Sequence, residues 1–106
     1  MSGYILHPDA YTDLDSIWEY IAVDNIVAAD QFLEQIHDSI RNLAQPPDTG
    51  HWRTDLAPKT FRFKTVGSYL IAYVSNETPL LVLAIVHGSR QTKTIAALLR
   101  ERKTTH

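Results

Sequence analysis

Hydrophobic residues return along this chain at two different periods. From Pro8, the residues Ala10, Leu14, Ile17, Trp18 and Ile21 recur at helical spacing, while Asp9, Asp13, Asp15 and Glu19 fill the opposite positions. The pattern predicts an amphipathic helix with an acidic, solvated outer face. Pro8 suits its first turn, and Asp9 and Asp13 suit its positive end. Asp24-Asn25 interrupts the stripe and can cap a second helix carrying Ala29, Phe32, Leu33, Ile36, Ile40 and Leu43 on one face. Pro46-Pro47 stops it, and Asp48-Thr49-Gly50 turns the chain. So short a link between the helices predicts an antiparallel hairpin.

Short apolar or alternating runs, one at the start of the chain and three in its second half, predict strands. Gly3–Leu6 is a short apolar run halted by His7-Pro8, and reads as a first strand. After an irregular stretch over 51–58, Phe61, Phe63 and Thr65 alternate with Arg62, Lys64 and Val66, which predicts a strand with one basic face. Gly67-Ser68 is a two-residue hairpin signal leading into Tyr69–Ser75. Asn76-Glu77-Thr78-Pro79 turns the chain again, and the apolar Leu80–His87 predicts a central strand buried on both faces. Thr92–Arg102 predicts a short final helix with Ile95, Leu98 and Leu99 apolar, and Thr104–His106 should fray.

The order is β-α-α-β-β-β-α. This predicts an α+β fold, a helical hairpin packed on a mainly antiparallel four-stranded sheet whose other face is partly covered and offers a groove. At 106 residues the chain has the length of one domain, 1–106, with one sizeable core. No apolar run approaches a membrane span, and Met1–Leu6 lacks the basic-then-apolar start of a signal peptide, so the expected compartment is the cytoplasm.

Charge adds a second layer. The net charge of −2 splits into nine acids against Arg41 over 1–48, and nine bases against Asp55, Glu77 and Glu101 over 49–106. Such a split predicts an acidic and a basic face, or halves that attract each other within the fold.

The chemistry-bearing motifs are few. Without cysteine there is no disulfide or thiolate chemistry, and His7, His37, His51, His87 and His106 lack close ligand spacing, so no metal or other cofactor is expected. Asp9 and Asp13 stand at i, i+4 on what reads as a solvated face. The informative segment is Ile85-Val86-His87-Gly88-Ser89-Arg90-Gln91. A histidine leaves a buried strand, a glycine permits the turn, and an arginine able to grip a phosphate or carboxylate follows. With Arg62 and Lys64 it would gather positive charge at one rim of the sheet. The plainer alternative pairs Arg90 with an acid such as Asp13 and leaves His87 capping the strand.

Several segments together resemble toxins of the RelE/ParE superfamily. They are Tyr4–Ile21 with its His-Pro, Asp13-Leu14 and Tyr20-Ile21; Leu43-Ala44, Pro47 and Gly50; Tyr69-Leu70-Ile71-Ala72-Tyr73; and Val86-His87-Gly88-Ser89-Arg90. The resemblance spans about residues 3–100 in the expected order. It implies the toxin of a type II toxin–antitoxin module, neutralised by a ParD-like antitoxin with a DNA-binding N-terminal domain. The antitoxin's extended segment would pack on the helices near Trp18 and Phe32, or add a strand to the sheet. Trp18 and Phe32 equally suit the core.

RelE-like members cleave mRNA on the ribosome, whereas ParE-like members poison DNA gyrase. The arginine that RelE-like proteins tend to carry after the first strand tyrosine is Leu70 here, and their final-segment tyrosine falls at Ala96. His87-Gly88-x-Arg90 resembles the ParE ending, although Gln91 stands where many relatives have Asp. The implied toxin is therefore non-enzymatic and does not itself read nucleic acid sequence. Its target-binding surface would comprise Arg62, His87, Gly88 and Arg90, completed by Ile95, Leu98 and Leu99 of the last helix. The competing function is an endoribonuclease using His87, Arg90, Arg62 and Lys64, and a third is a non-toxic antitoxin-binding relative.

Overall fold

The computed structural model describes residues 3–43, 61–74 and 79–105. The expected helix stop at Pro46-Pro47, the turn at 48–50, the irregular stretch at 51–58 and most of the turn at 76–79 lie outside the described residues. The elements are β1 (Tyr4–Leu6), α1 (Pro8–Ala22), α2 (Ile26–Leu43), β2 (Phe61–Val66), β3 (Tyr69–Val74), β4 (Leu80–His87) and α3 (Thr92–Thr105). This is the expected order, and α3 runs three residues past Arg102, into the segment expected to fray.

The strands form a mixed sheet in the order β1-β4-β3-β2. β1 runs parallel to β4, and the other pairs are antiparallel. Gly67 has φ +58 at the β2–β3 turn while Ser68 stays at negative φ, the type II′ pattern that matches strand twist. β4 is buried from Leu80 to Val86, as its unbroken apolar run predicts.

Strand alternation divides the interior into two cores. On one face α1 and α2 bring Leu14, Ile17, Ile36 and Ile40 against Ile71, Tyr73, Val82 and Ile85. On the other, Ile95 and Leu99 of α3 meet Phe61, Phe63, Leu70, Leu83 and Val86. The face expected to offer a groove is thus occupied by α3.

Polar side chains hold the helix ends and the hairpin. Asn25 Oδ1 accepts from Ala28 N at 3.0 Å and caps α2 as expected. At α1 the cap is His7, buried, whose Nδ1 accepts from Asp9 N at 3.0 Å. Trp18 Nε1 donates to Asp30 Oδ1 at 2.8 Å and ties α1 to α2.

The run Leu80–His87 conceals a β-bulge. Ala72 pairs with Ala84 and Tyr73 with Val82, so Leu83 is an extra residue in β4. β1 accompanies β4 only as far as Leu6 opposite Val82, and among the described residues no strand follows on that side of β4. Side chains take over there. Asp13 Oδ2 accepts from Ile85 N at 3.0 Å, and Arg102 Nη1 donates to Leu83 O at 2.9 Å.

Candidate functional site

The site grows from the point where β4 leaves the core. Val86 is buried, His87 is exposed, and the chain turns through Gly88-Ser89-Arg90 into α3. Gly88 N donates to Ser68 O at 2.8 Å, which holds this turn against the β2–β3 hairpin. A Cβ at Gly88 would stand 3.3 Å from the same carbonyl oxygen, so a side chain there would press the two turns apart.

His87 is held from two sides. Its Nδ1 receives Ser89 N at 3.1 Å and lies 2.6 Å from Ser89 Oγ. A ring nitrogen that accepts from a backbone N–H carries no proton, so the neutral ring has its hydrogen on Nε2. The ring packs edge-on to Tyr69 at 5.1 Å, and Tyr69 leans on Phe32 at 5.5 Å, giving an aromatic ladder from α2 to the site. Burial pushes the Tyr69 phenol above its usual value of 10.0, and the neighbouring Tyr20 phenol adds to the rise.

Between α1 and this turn lies an open cleft of about 190 Å³, lined by Asp13, Ser16, Ile17, Tyr69, His87 and Arg90 among others. Arg102 binds Asp13 at 2.6 Å and 3.2 Å, and its Nε stands 3.8 Å from Asp9. The expectation of two solvated carboxylates is therefore corrected for Asp13. Its side chain is only 17% exposed because it closes the open side of β4. The alternative that paired Arg90 with Asp13 is corrected too, since that acid belongs to Arg102. Arg90 N donates to His87 O at 3.1 Å, and its guanidinium is exposed and makes no hydrogen bond or ion pair among the described residues.

A family model for the ParE toxin of type II toxin–antitoxin systems, parDE, matches residues 4–92. The chain belongs to the ParE toxin family. No curated protein matches it in a sequence comparison. Membership implies a cognate antitoxin as partner, and the fold is consistent with the RelE/ParE architecture.

Within this ParE-family chain the expected site residues do not all meet. His87, Gly88 and Arg90 form one turn beside the cleft. Arg62 pairs with Tyr73, four residues along β3 from Tyr69, the partner of His87. That is about 14 Å along the strand, with one further strand between, so Arg62 and His87 do not share a surface point. In the expected basic rim Arg62 therefore stands apart from His87 and Arg90, while Lys64, opposite Ile71, lies two residues from Tyr69 along β3. Ile95 and Leu99 are buried in the second core and anchor α3, while Leu98 is half-buried beside them. Trp18 and Phe32 are both half-buried, and Phe32 packs against the first core. Tyr69, Ser16 and Ser89 belong to the site, although the sequence expectation gave none of them a site role. Only Ser89, adjoining His87-Gly88, carried a local signal.

Proposed function

We propose that this ParE-family toxin acts by binding DNA gyrase and halting replication in the cytoplasm, with the His87–Arg90 turn as its contact surface. The observation that carries this reading is Arg90, an exposed guanidinium at the rim of a preformed cleft with no partner among the described residues. RNA cleavage by positioned groups calls for a general acid or base and added cations around the scissile phosphate. Among the described residues lining the cleft, Arg90 is the only arginine or lysine, and Leu70 faces the opposite core. Binding needs less: a shaped surface and a few donors fixed in place.

The antitoxin, ParD-like, would cover the helical hairpin near Trp18 and Phe32. In support, Tyr20, Val23, Ile26 and Val27 stand 59–85% exposed where α1 meets α2. β2 lies at the end of the strand order, and no strand pairs with its outer edge among the described residues, so strand addition is open there.

The experiment is supercoiling and DNA cleavage by purified gyrase with ATP, titrated with this protein. Accumulated linear, protein-linked DNA is the expected result. Unaffected gyrase would overturn the reading, and cleavage of mRNA on translating ribosomes would then assign the ribonuclease function instead.

A further inference from the structure

Four groups able to donate hydrogen bonds line the cleft without an acceptor among the described residues. They are the Arg90 guanidinium, the His87 Nε2–H, the Tyr69 hydroxyl and the Ser16 hydroxyl. One carboxylate lines the same space, Asp13, and it is already engaged by Arg102 and by Ile85 N–H. The cleft therefore has a surplus of one positive charge and an unmet demand for an acceptor. Its volume of about 190 Å³ exceeds the space that one water needs, about 10–15 Å³ on the same kind of measure, many times over, so a side-chain carboxyl fits.

We propose that this cleft receives one aspartate or glutamate side chain presented by a protein partner. The inference rests on the reading of the His87–Arg90 turn as the binding surface and specifies what that surface recognises. A planar carboxylate matches the fork of the Arg90 guanidinium, and the Nε2–H of His87 adds a donor whose direction is fixed by Ser89.

The surroundings favour a lone acid over a nucleic acid. Asp9, Asp15 and Glu19 are exposed on α1, the helix that supplies Asp13 and Ser16 to the cleft. A duplex carries about one negative charge per 1.7 Å and would meet these carboxylates wherever it reached Arg90. A protein partner escapes that repulsion by placing basic or apolar residues beside its acid, opposite Glu19 and Tyr20.

The test is side-chain NMR of the isolated chain, following the Arg90 Nε–Hε signal and the His87 ring nitrogens at constant ionic strength. N-acetyl-aspartate-N-methylamide is the probe, with chloride as control and a ten-residue oligothymidylate as competitor. The capped aspartate is expected to shift both signals saturably, at concentrations on the order of 10 mM. Arg90→Gln should weaken it about tenfold while Arg90→Lys keeps a saturable response. Amide spectra unchanged away from the cleft would verify that both variants fold. Shifts no different from chloride, or an oligothymidylate acting at lower concentration than the aspartate, would overturn the proposal. The gyrase assay is independent. Intact gyrase activity with a saturable cleft would remove gyrase alone, and gyrase poisoning with a silent cleft would remove the carboxylate alone.

Discussion

Asp13 on α1 and Arg102 on α3 meet at 2.6 Å although 89 residues separate them in the chain. They come from opposite faces of the sheet and close on each other beside β4, where β1 has already ended. Each also satisfies a backbone group of that strand, Ile85 N–H and Leu83 O. The pair thus substitutes for a missing strand and fastens the last helix to the first.

Arg102→Met should destabilise the fold by about 2–4 kcal/mol, because it leaves a half-buried carboxylate unpaired and a strand carbonyl without its donor. Urea denaturation would measure this. In the double variant with Asp13→Asn the loss should be smaller than the sum of the two single losses, since the pair is one unit. Additive losses would refute the coupling.

Ser89→Ala should loosen the His87 ring while leaving the fold intact. The Ser89 amide remains to hold Nδ1, but the hydroxyl at 2.6 Å is lost. Long-range proton–nitrogen spectra should still show the Nε2–H tautomer, because the Ser89 amide keeps Nδ1 an acceptor, while the ring signals broaden. A shift to the Nδ1–H tautomer would show that the hydroxyl, not the amide, sets it.

Tyr69 carries a pH dependence. Its phenol is raised above 10.0 in the fold, so the folded state keeps its proton where the unfolded chain has lost it. The resulting stability is present below pH 10 and declines as pH rises through the folded value. Tyr69→Phe keeps the ring contacts with Phe32 and His87 and should flatten the stability curve above pH 10. Thermal unfolding between pH 8 and about 11 would report it.

Gly67→Ala should cost about 1–2 kcal/mol. The position has φ +58, and an added Cβ would lie 3.2 Å from Phe32 Cε1. The thermal midpoint should fall, and a neutral result would mean that the turn changes type without strain.

Arg90→Ala should change stability by less than about 0.5 kcal/mol, because the side chain is exposed and makes no bond among the described residues. Toxicity on expression should fall sharply, with folding verified by circular dichroism. A folded variant of full toxicity would remove Arg90 from the binding surface.

The element order was readable because each element carries its own period. The stripe of Ile36 and Ile40 in α2 and the alternation of Phe61 and Phe63 in β2 are local patterns that burial preserves. The Asn25 cap and the Gly67 turn were likewise legible, each being set by a residue's own side chain or lack of one. The bulge at Leu83 was not. In a run as uniformly apolar as Leu80–His87, no alternation exists for an extra residue to break.

His87, Gly88 and Arg90 stood out in the sequence because they are contiguous and end an apolar strand. Tyr69 and Ser16 complete the cleft from 18 and 71 positions before His87, distances at which no local pattern operates. For Arg62, strand polarity gave a face, and only register shows that it stands four residues along the sheet from the strand partner of His87.

What the sequence determined by itself is the set of elements, the Asn25 cap of α2, the two apolar faces and the family. Those follow from periods and motifs shorter than about one helix. Only the tertiary structure decided which charges are spent internally. Asp13 took Arg102 because β1 stops at Leu6 and leaves strand groups that need partners, and this left Arg90 facing outward. Pairing of charges depends on which backbone groups lie without a neighbouring strand, and that is a property of the assembled sheet.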